Sequence, residues 1–336
     1  MKRITLLATL MVIMSIFYAH AQQIEVLTEH PPVSLRGLSV VTNDIIWVSG
    51  SHGTVGKSTD GGATWKWSTV PGFEKSDFRD IEAFDDKTAV IMAIAEPAYI
   101  LRTTDGGESW KVVYENKRKG MFMDAMDFFD DRHGSIVGDA IGGKLFVTHT
   151  HDGGVTWQDE PEQTAPAADS VEGCFASSGT NIRQTGKDDY VFVSEGRQSR
   201  SYFKNTFHVI PFGKGNGSSG ANSIAVRQVG GKMKWVVVGG DFRLDSVRRN
   251  NCLLSEDLGK TWTAPVVSPL GYRSCVEFIS DHALITCGLN GVDVSSDDGK
   301  TWKTISTTGF HACRKAKKGS AVFLSGNKGR IGRLVQ

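Results

Sequence analysis

The chain has 336 residues, 38 of them Lys or Arg and 37 Asp or Glu; without the first 21, which include Lys2 and Arg3, 36 basic side chains face 37 acidic ones. A near-neutral polypeptide has no bulk attraction for nucleic acid or for an acidic membrane surface, so neither is expected as a partner. With 40% hydrophobic and 22% charged residues it groups with globular chains, and 38 Gly against 9 Pro, with 8 Trp and 17 Phe, favour many tight turns between short aromatic-bearing strands.

Met1-Lys2-Arg3 is a basic start, Ile4 to Tyr18 is apolar apart from Thr and Ser, and Ala19-His20-Ala21 is a small-x-small site. Residues 1–21 therefore read as a signal peptide cut after Ala21, which places the mature chain in the periplasm or outside the cell. The apolar run is too short to span a bilayer and no second one follows, so no membrane span is expected. No Cys lies near the cut to accept a lipid anchor. Ile24 to Thr28 then reads as a lone strand.

Further along, one octet recurs five times: Ser58 to Trp65, Thr103 to Trp110, Thr150 to Trp157, Ser255 to Trp262 and Ser295 to Trp302. Each follows the Asp-box pattern Ser/Thr-x-Asp-x-Gly-x-Thr/Ser-Trp, with the carboxylates at Asp60, Asp105, Asp152, Asp257 and Asp297. Such an Asp accepts backbone N–H groups that follow it, the Gly supplies a permissive backbone angle and the Trp packs beneath, so these five are structural rather than catalytic. Successive box aspartates are 45, 47, 105 and 40 residues apart, and the long interval holds one unit without a box. That unit is read as Gly173 to Ser177, Tyr190 to Ser194 and Ser201 to Lys204, with Asn205 where a box would begin. After Trp302, strands at His311 to Lys315, Ala321 to Ser325 and Arg330 to Leu334 make three-quarters of a last unit, which Ile24 to Thr28 completes. The expected fold is all-β: a seven-bladed β-propeller over residues 22–336, one domain, at the ~40 to 50 residues typical of a four-stranded blade.

Aligning the units on their inner strands gives a polar column: Arg36, Arg79, Asp124, Glu172, Asn222, Arg273 and His311. These should ring one mouth of the channel, away from the boxes, with Asp139 and Asp241 added by loops between second and third strands. The basic members fall on consecutive blades, so Arg36, Arg79 and Arg273 with His311 are expected to converge on an anionic group of a ligand or client. Asp124, Glu172, Asn222 and Asp241 complete the candidate binding set.

Gly215-Asn216-Gly217-Ser218-Ser219-Gly220 satisfies a dinucleotide fingerprint, but the next residues read as a strand rather than a helix, so no nucleotide or other cofactor is expected. Cys174, Cys252, Cys275, Cys287 and Cys313 have neither zinc nor Cys-x-x-Cys spacing, so no metal is expected. Cys275 and Cys287 lie symmetrically about Asp281; facing each other, they are open to a disulfide or to two buried thiols.

Leu35-Arg36-Gly37-Leu38 with Trp47-Val48-Ser49-Gly50, Asp124 to Phe128 with Gly138-Asp139, Phe175 to Gly179, Gly239-Gly240-Asp241, Gly271 to Ser274, Gly309-Phe310-His311 and Gly326 to Ile331 carry a resemblance across the mature chain. The sequence resembles the photosystem II stability and assembly factor family of plants and cyanobacteria, and more closely its non-photosynthetic bacterial relatives. The resemblance implies a propeller that holds another protein during assembly through a basic patch, for which Arg36, Arg79 and Arg273 are placed; the chain itself is expected to be a monomer. The competing class is a glycoside hydrolase acting on an anionic glycan, since Asp boxes also typify sialidases. Asp124 with Glu172 or Asp139 would then be the catalytic carboxylates. Against a sialidase, Gly37 and Leu38 follow Arg36 where that family has Ile-Pro.

Overall fold

Short strands separated by tight turns pair most readily with their sequence neighbours, and the chain does this blade by blade. The computed structural model describes residues 22–204, 206–213 and 217–335. The signal-peptide expectation, Asn205 and part of the Gly215 to Gly220 motif fall outside them. Blade one is Leu35–Val40, Ile46–Gly50, Thr54–Ser58 and Lys66–Thr69, an antiparallel meander. Blade two starts at Phe78–Ala83, blade three at Met123–Phe128, blade four at Ile182–Gln184, blade five at Ser219–Val229 and blade six at Cys275–Phe278. The seventh orders Gln23–Glu29, Arg330–Val335, Val322–Ser325 and Ala312–Lys315 as outer to inner strands. The N-terminal strand therefore closes the ring, with Ile24 opposite Leu334 and Glu29 opposite Arg330.

Two blades differ from the sequence reading. The inner strand of blade four is Ile182–Gln184, and Gly173 to Ser177 is a loop held by a single bridge between Gly173 and Glu195. The apolar residues that suggested a strand there are buried against other blades instead. Blade five has three strands, its fourth reduced to one bridge between Leu254 and Thr263. Pro265, two residues on, has no N–H with which to continue that ladder.

Each blade junction has its own apolar core. Trp47, Phe78, Ile81 and Ile91 fill the first, Leu38, Ile46, Phe323 and Ile331 join blades seven and one, and Cys275, Ile285, Phe310 and Leu324 join six and seven. Fully burying one such side chain contributes roughly 1.5 to 3 kcal/mol. A closed ring makes every junction depend on its neighbours.

The five octets connect third to fourth strands and share one hydrogen-bond set. In Thr103 to Trp110, the Thr103 hydroxyl donates to Asp105 Oδ1 at 2.8 Å, the Ser109 amide donates to the same oxygen at 3.0 Å, and the Ser109 hydroxyl donates to Oδ2 at 2.5 Å. The Gly107 amide donates back to Thr103 Oγ1 at 3.1 Å. Gly107 has φ +86°, and a Cβ there would press on Trp47 of the preceding blade, so the turn needs glycine twice over. The Trp110 ring meets Trp47 edge-on at 6.5 Å, which ties the box to the junction.

Two predictions follow from closure and boxes. Deleting Arg330–Val335 removes the pairing partner of Gln23–Glu29 and should abolish cooperative unfolding; a truncated chain with the full-length melting curve would contradict the closure. Hydrogen bonds from Thr64 and Ser58 hold Asp60 down at about 2, and those from Thr261 and Ser255 hold Asp257 there too. Carboxylates depressed in the fold stabilise it above their unfolded pKa near 3.8, and this contribution is lost as pH falls toward 2. Replacing Asp60 and Asp257 by Asn should lower the melting temperature at neutral pH and flatten its decline between pH 4 and 2, checked by thermal melts across that range.

Candidate functional site

Four members of the polar column have a common backbone cause. Pairing of inner with second strands slips between Leu35 and Gly37, Phe78 and Asp80, Met123 and Ala125, and Ala221 and Ser223. Arg36, Arg79, Asp124 and Asn222 are thus the extra residues of β-bulges. A bulge breaks the in–out alternation and re-aims its side chain, which is why these polar residues can sit among buried neighbours.

The mouth they surround is closed by the loop that the sequence suggested was a strand. Arg36 Nη1 donates to the Ser177 carbonyl at 3.1 Å and Arg79 Nη1 to the Ala176 carbonyl at 2.8 Å. The Ser178 hydroxyl donates to the Ser274 carbonyl at 2.7 Å, and Arg314 Nη2 donates to the Gly179 carbonyl at 2.9 Å. Residues from blades one, two, six and seven therefore grip one segment. Gly179 has φ +65°, and a Cβ there would lie 2.2 Å from Asp80 Oδ2, so only glycine lets the loop pass. Asp80 itself accepts the Ile81 and Met126 amides at 2.9 and 2.8 Å, and burial pushes its pKa up to about 8.

Above this plug lies a cavity of about 270 Å³, lined by Arg36, Arg79, Phe175, Phe242, Tyr272 and His311 among others. Arg79 Nε donates to Asp77 at 2.6 Å, while no carboxylate among the described residues lies within ion-pair reach of Arg36. Burial, and then the nearby Arg79 charge, lower the Arg36 pKa from its ordinary value. Burial, with Arg36 and Arg79, pushes His311 down to about 3, so the imidazole is neutral at physiological pH and Nε2 sits 3.3 Å from Ser34 Oγ. The Tyr272 hydroxyl donates to Asn222 Oδ1 at 2.8 Å, placing Asn222 behind the cavity wall. Phe175, Phe242 and Leu289 give it an apolar side. The arrangement suits an anion attached to an apolar group.

Arg273 is not part of this arc. Its guanidinium is fully buried, donates from Nε to Asp293 Oδ2 at 2.7 Å and from Nη2 to the same oxygen, and donates from Nη1 to Asn290 Oδ1 at 2.7 Å. Its partner, 20 positions along the chain, could not be read from the column alone.

The acidic members are likewise committed inside the protein. Glu172, 3% exposed, accepts from Arg200 Nη1 at 2.7 Å, the Tyr202 hydroxyl at 2.6 Å and the Ser194 hydroxyl at 2.5 Å. It precedes the inner strand of blade four rather than standing on it. Asp124 is sealed from solvent; burial and the neighbouring Asp139 carboxylate raise its pKa well above the usual carboxylate range. Asp139 accepts the Cys174 amide at 3.0 Å. A hydrolytic pair needs one accessible acid and a second carboxylate facing substrate; Asp124, sealed from solvent, and Glu172, buried and ion-paired with Arg200, do not form one. Asp241 accepts from the Ser218 hydroxyl and the Arg243 amide, both at 2.9 Å, and shapes the loop carrying Phe242.

The sequence reading missed the opposite mouth, where a cavity of about 580 Å³ is lined by Glu82, Asp127, Arg183, Glu277, Arg314 and Lys317 among others. Its charges answer one another: Arg183 Nη2 is 2.9 Å from Glu277, and Lys317 bonds Glu82. The smaller cavity, where Arg36 keeps its charge uncompensated, is the better candidate for a ligand.

Residues 17–333 match the family described as photosynthesis system II assembly factor YCF48. The chain belongs to this family. A curated relative, the chloroplastic photosystem II stability/assembly factor HCF136 of Arabidopsis thaliana, is 26% identical over 164 residues, 48% of this chain. The match covers only 34% of the plant protein's length. Among solved structures, YCF48 bound to D1 peptide superposes with a TM-score of 0.65 at 18% identity, over 94% of this chain and 97% of that one. YCF48 from Cyanidioschyzon merolae gives 0.61 at 15%, over 93% and 98%. The WD40 β-propeller domain of Doa1 gives 0.62 at 10%, over 94% and 97%, a likeness of fold alone.

For a family member with this mouth, Arg36 and Arg273 should differ in cost. Arg273→Ala strands the buried Asp293 charge and should destabilise the fold by about 3 to 5 kcal/mol, whereas Arg36→Ala removes one hydrogen bond to the plug and should cost no more than about 1.5 kcal/mol. Denaturant melts of the two variants check this.

Proposed function

We propose that this chain is an assembly-factor propeller, exported to the periplasm or beyond, that holds a protein client by docking an acidic group of it between Arg36 and Arg79. The observation that carries this reading is the pair of guanidiniums converging on one cavity, with Asp77, paired to Arg79, the one carboxylate in ion-pair reach of either among the described residues. Each arginine spends part of its fork on the plug carbonyls, which fixes the plane of the fork and leaves its other donors for a carboxylate. Phe175, Phe242 and Leu289 offer contact for the apolar residue next to that acid. The neutral His311 adds a hydrogen-bonding group without adding charge.

Support also comes from the relatives, one of which bears the name of an assembly factor and another of which was solved with a D1 peptide. The host's own client need not be the same protein. The reading differs from the sequence expectation in relying on two arginines rather than three.

Fluorescence polarisation with matched acidic and amide-neutralised peptides tests it. Acidic peptides should bind, binding should weaken as salt rises, and Arg36→Ala with Arg79→Ala should weaken it at least about tenfold, some 1.4 kcal/mol. Arg36→Lys should also weaken binding, because an ammonium cannot reproduce a planar fork. Equal binding of acidic and neutral peptides, or full binding by the double variant, would refute the site.

A further inference from the structure

Three of the five cysteines, unremarkable by spacing, meet at the junction of blades six and seven. Cys275 and Cys287 stand directly opposite each other on neighbouring strands of blade six, and Cys313 comes from the inner strand of blade seven. Their three sulfurs all lie within 4.8 Å of one another, and Cys313 Sγ is 3.5 Å from Cys275 Sγ. All three side chains are fully buried. We propose that Cys275, Cys287 and Cys313 form a trigonal thiolate site for a soft, thiophilic monovalent ion of the Cu(I) type, which clips blade six to the blade that closes the ring.

Geometry favours this over simple packing of small side chains. Three sulfurs around one ion, at the roughly 2.3 Å of a metal–thiolate bond, stand about 4 Å apart, which the cluster matches with little movement. The Cys313 amide donates to Cys275 Sγ at 3.3 Å, a bond that stabilises a thiolate; the same sulfur lies 3.3 Å from the Cys313 carbonyl, which holds a thiol when no ion is bound. Cys313 Sγ also lies 3.8 Å from the Ile285 carbonyl. The choice of ion follows from the donor set. Structural zinc takes four ligands, and no fourth His, Cys, Asp or Glu joins this cluster among the described residues, while burial keeps water out of the fourth place. All-sulfur sets select soft ions.

Protons and charge can be followed. With no ion present, burial favours the neutral thiol at each of the three sulfurs. The free cluster is then three thiols, with Cys275 Sγ facing the Cys313 carbonyl and Cys313 Sγ facing the Ile285 carbonyl. Binding a monovalent ion forms three metal–sulfur bonds, releases the three thiol protons to solvent and leaves two negative charges, partly offset by Arg314. Affinity should therefore rise with pH.

The test equilibrates the reduced full-length chain with Cu(I) presented on a competing chelator. One ion per chain should be retained, the melting temperature should rise, and X-ray absorption should find three sulfurs around copper. Cys313→Ser should weaken retention at least tenfold, while Cys174→Ser and Cys252→Ser should retain copper as wild type does. Should Cys313→Ser not fold, the wild-type stoichiometry and sulfur count still decide. No retained copper, nitrogen or oxygen ligands in place of sulfur, equal retention by folded Cys313→Ser, or a native Cys275–Cys287 disulfide would overturn the proposal.

Discussion

The pairing of Gln23–Glu29 with Arg330–Val335 is the constraint on which the molecule rests. Seven sheets radiating from a channel bury their faces only against each other, so any open junction would expose two apolar faces and two unpaired edges at once. One antiparallel ladder between the two ends of the chain converts a row of blades into a ring. The apolar clusters at the blade junctions are cooperative because that ladder exists.

Closure also explains where chemistry can reside. A ring of inner strands leaves an axial hole, and this chain fills it from the top with the loop through Gly173 to Asn181. The loop's carbonyls take hydrogen bonds from Arg36, Arg79 and Arg314, so side chains that would line an open channel become the floor and wall of a shallow cavity. Burial then sorts the charged groups. Arg273 finds Asp293, Glu172 finds Arg200 and Tyr202, and Asp124 is sealed from solvent near Asp139, its pKa raised by burial. Arg36 and Arg79 are left with an excess of positive charge facing outward, which is the physical basis of the proposed client site.

Much of this was legible in the residues. Asp boxes announce themselves because their hydrogen bonds run between positions two and four apart, as from Thr103 and Ser109 to Asp105. Their count and spacing, with the lone strand at the N-terminus, determined an all-β ring of seven units and its mode of closure. The polar column was legible for a similar reason: a bulge is a local event, and Arg36, Arg79, Asp124 and Asn222 mark it in four blades.

Only the tertiary structure decided which members of the column are free to act. Gly173 to Ser177 has the apolar character of a strand, and no local signal distinguishes burial within a sheet from burial as a plug gripped by four blades. Arg273 and Arg36 look alike in the sequence, yet one meets a carboxylate inside its own blade and the other meets a carbonyl across the channel. Cys313 lies 38 positions from Cys275 and reaches it only because consecutive blades pack face to face. Local turns are written in short-range residue patterns. Charge compensation and sulfur clustering depend on distances that closure of the ring alone establishes.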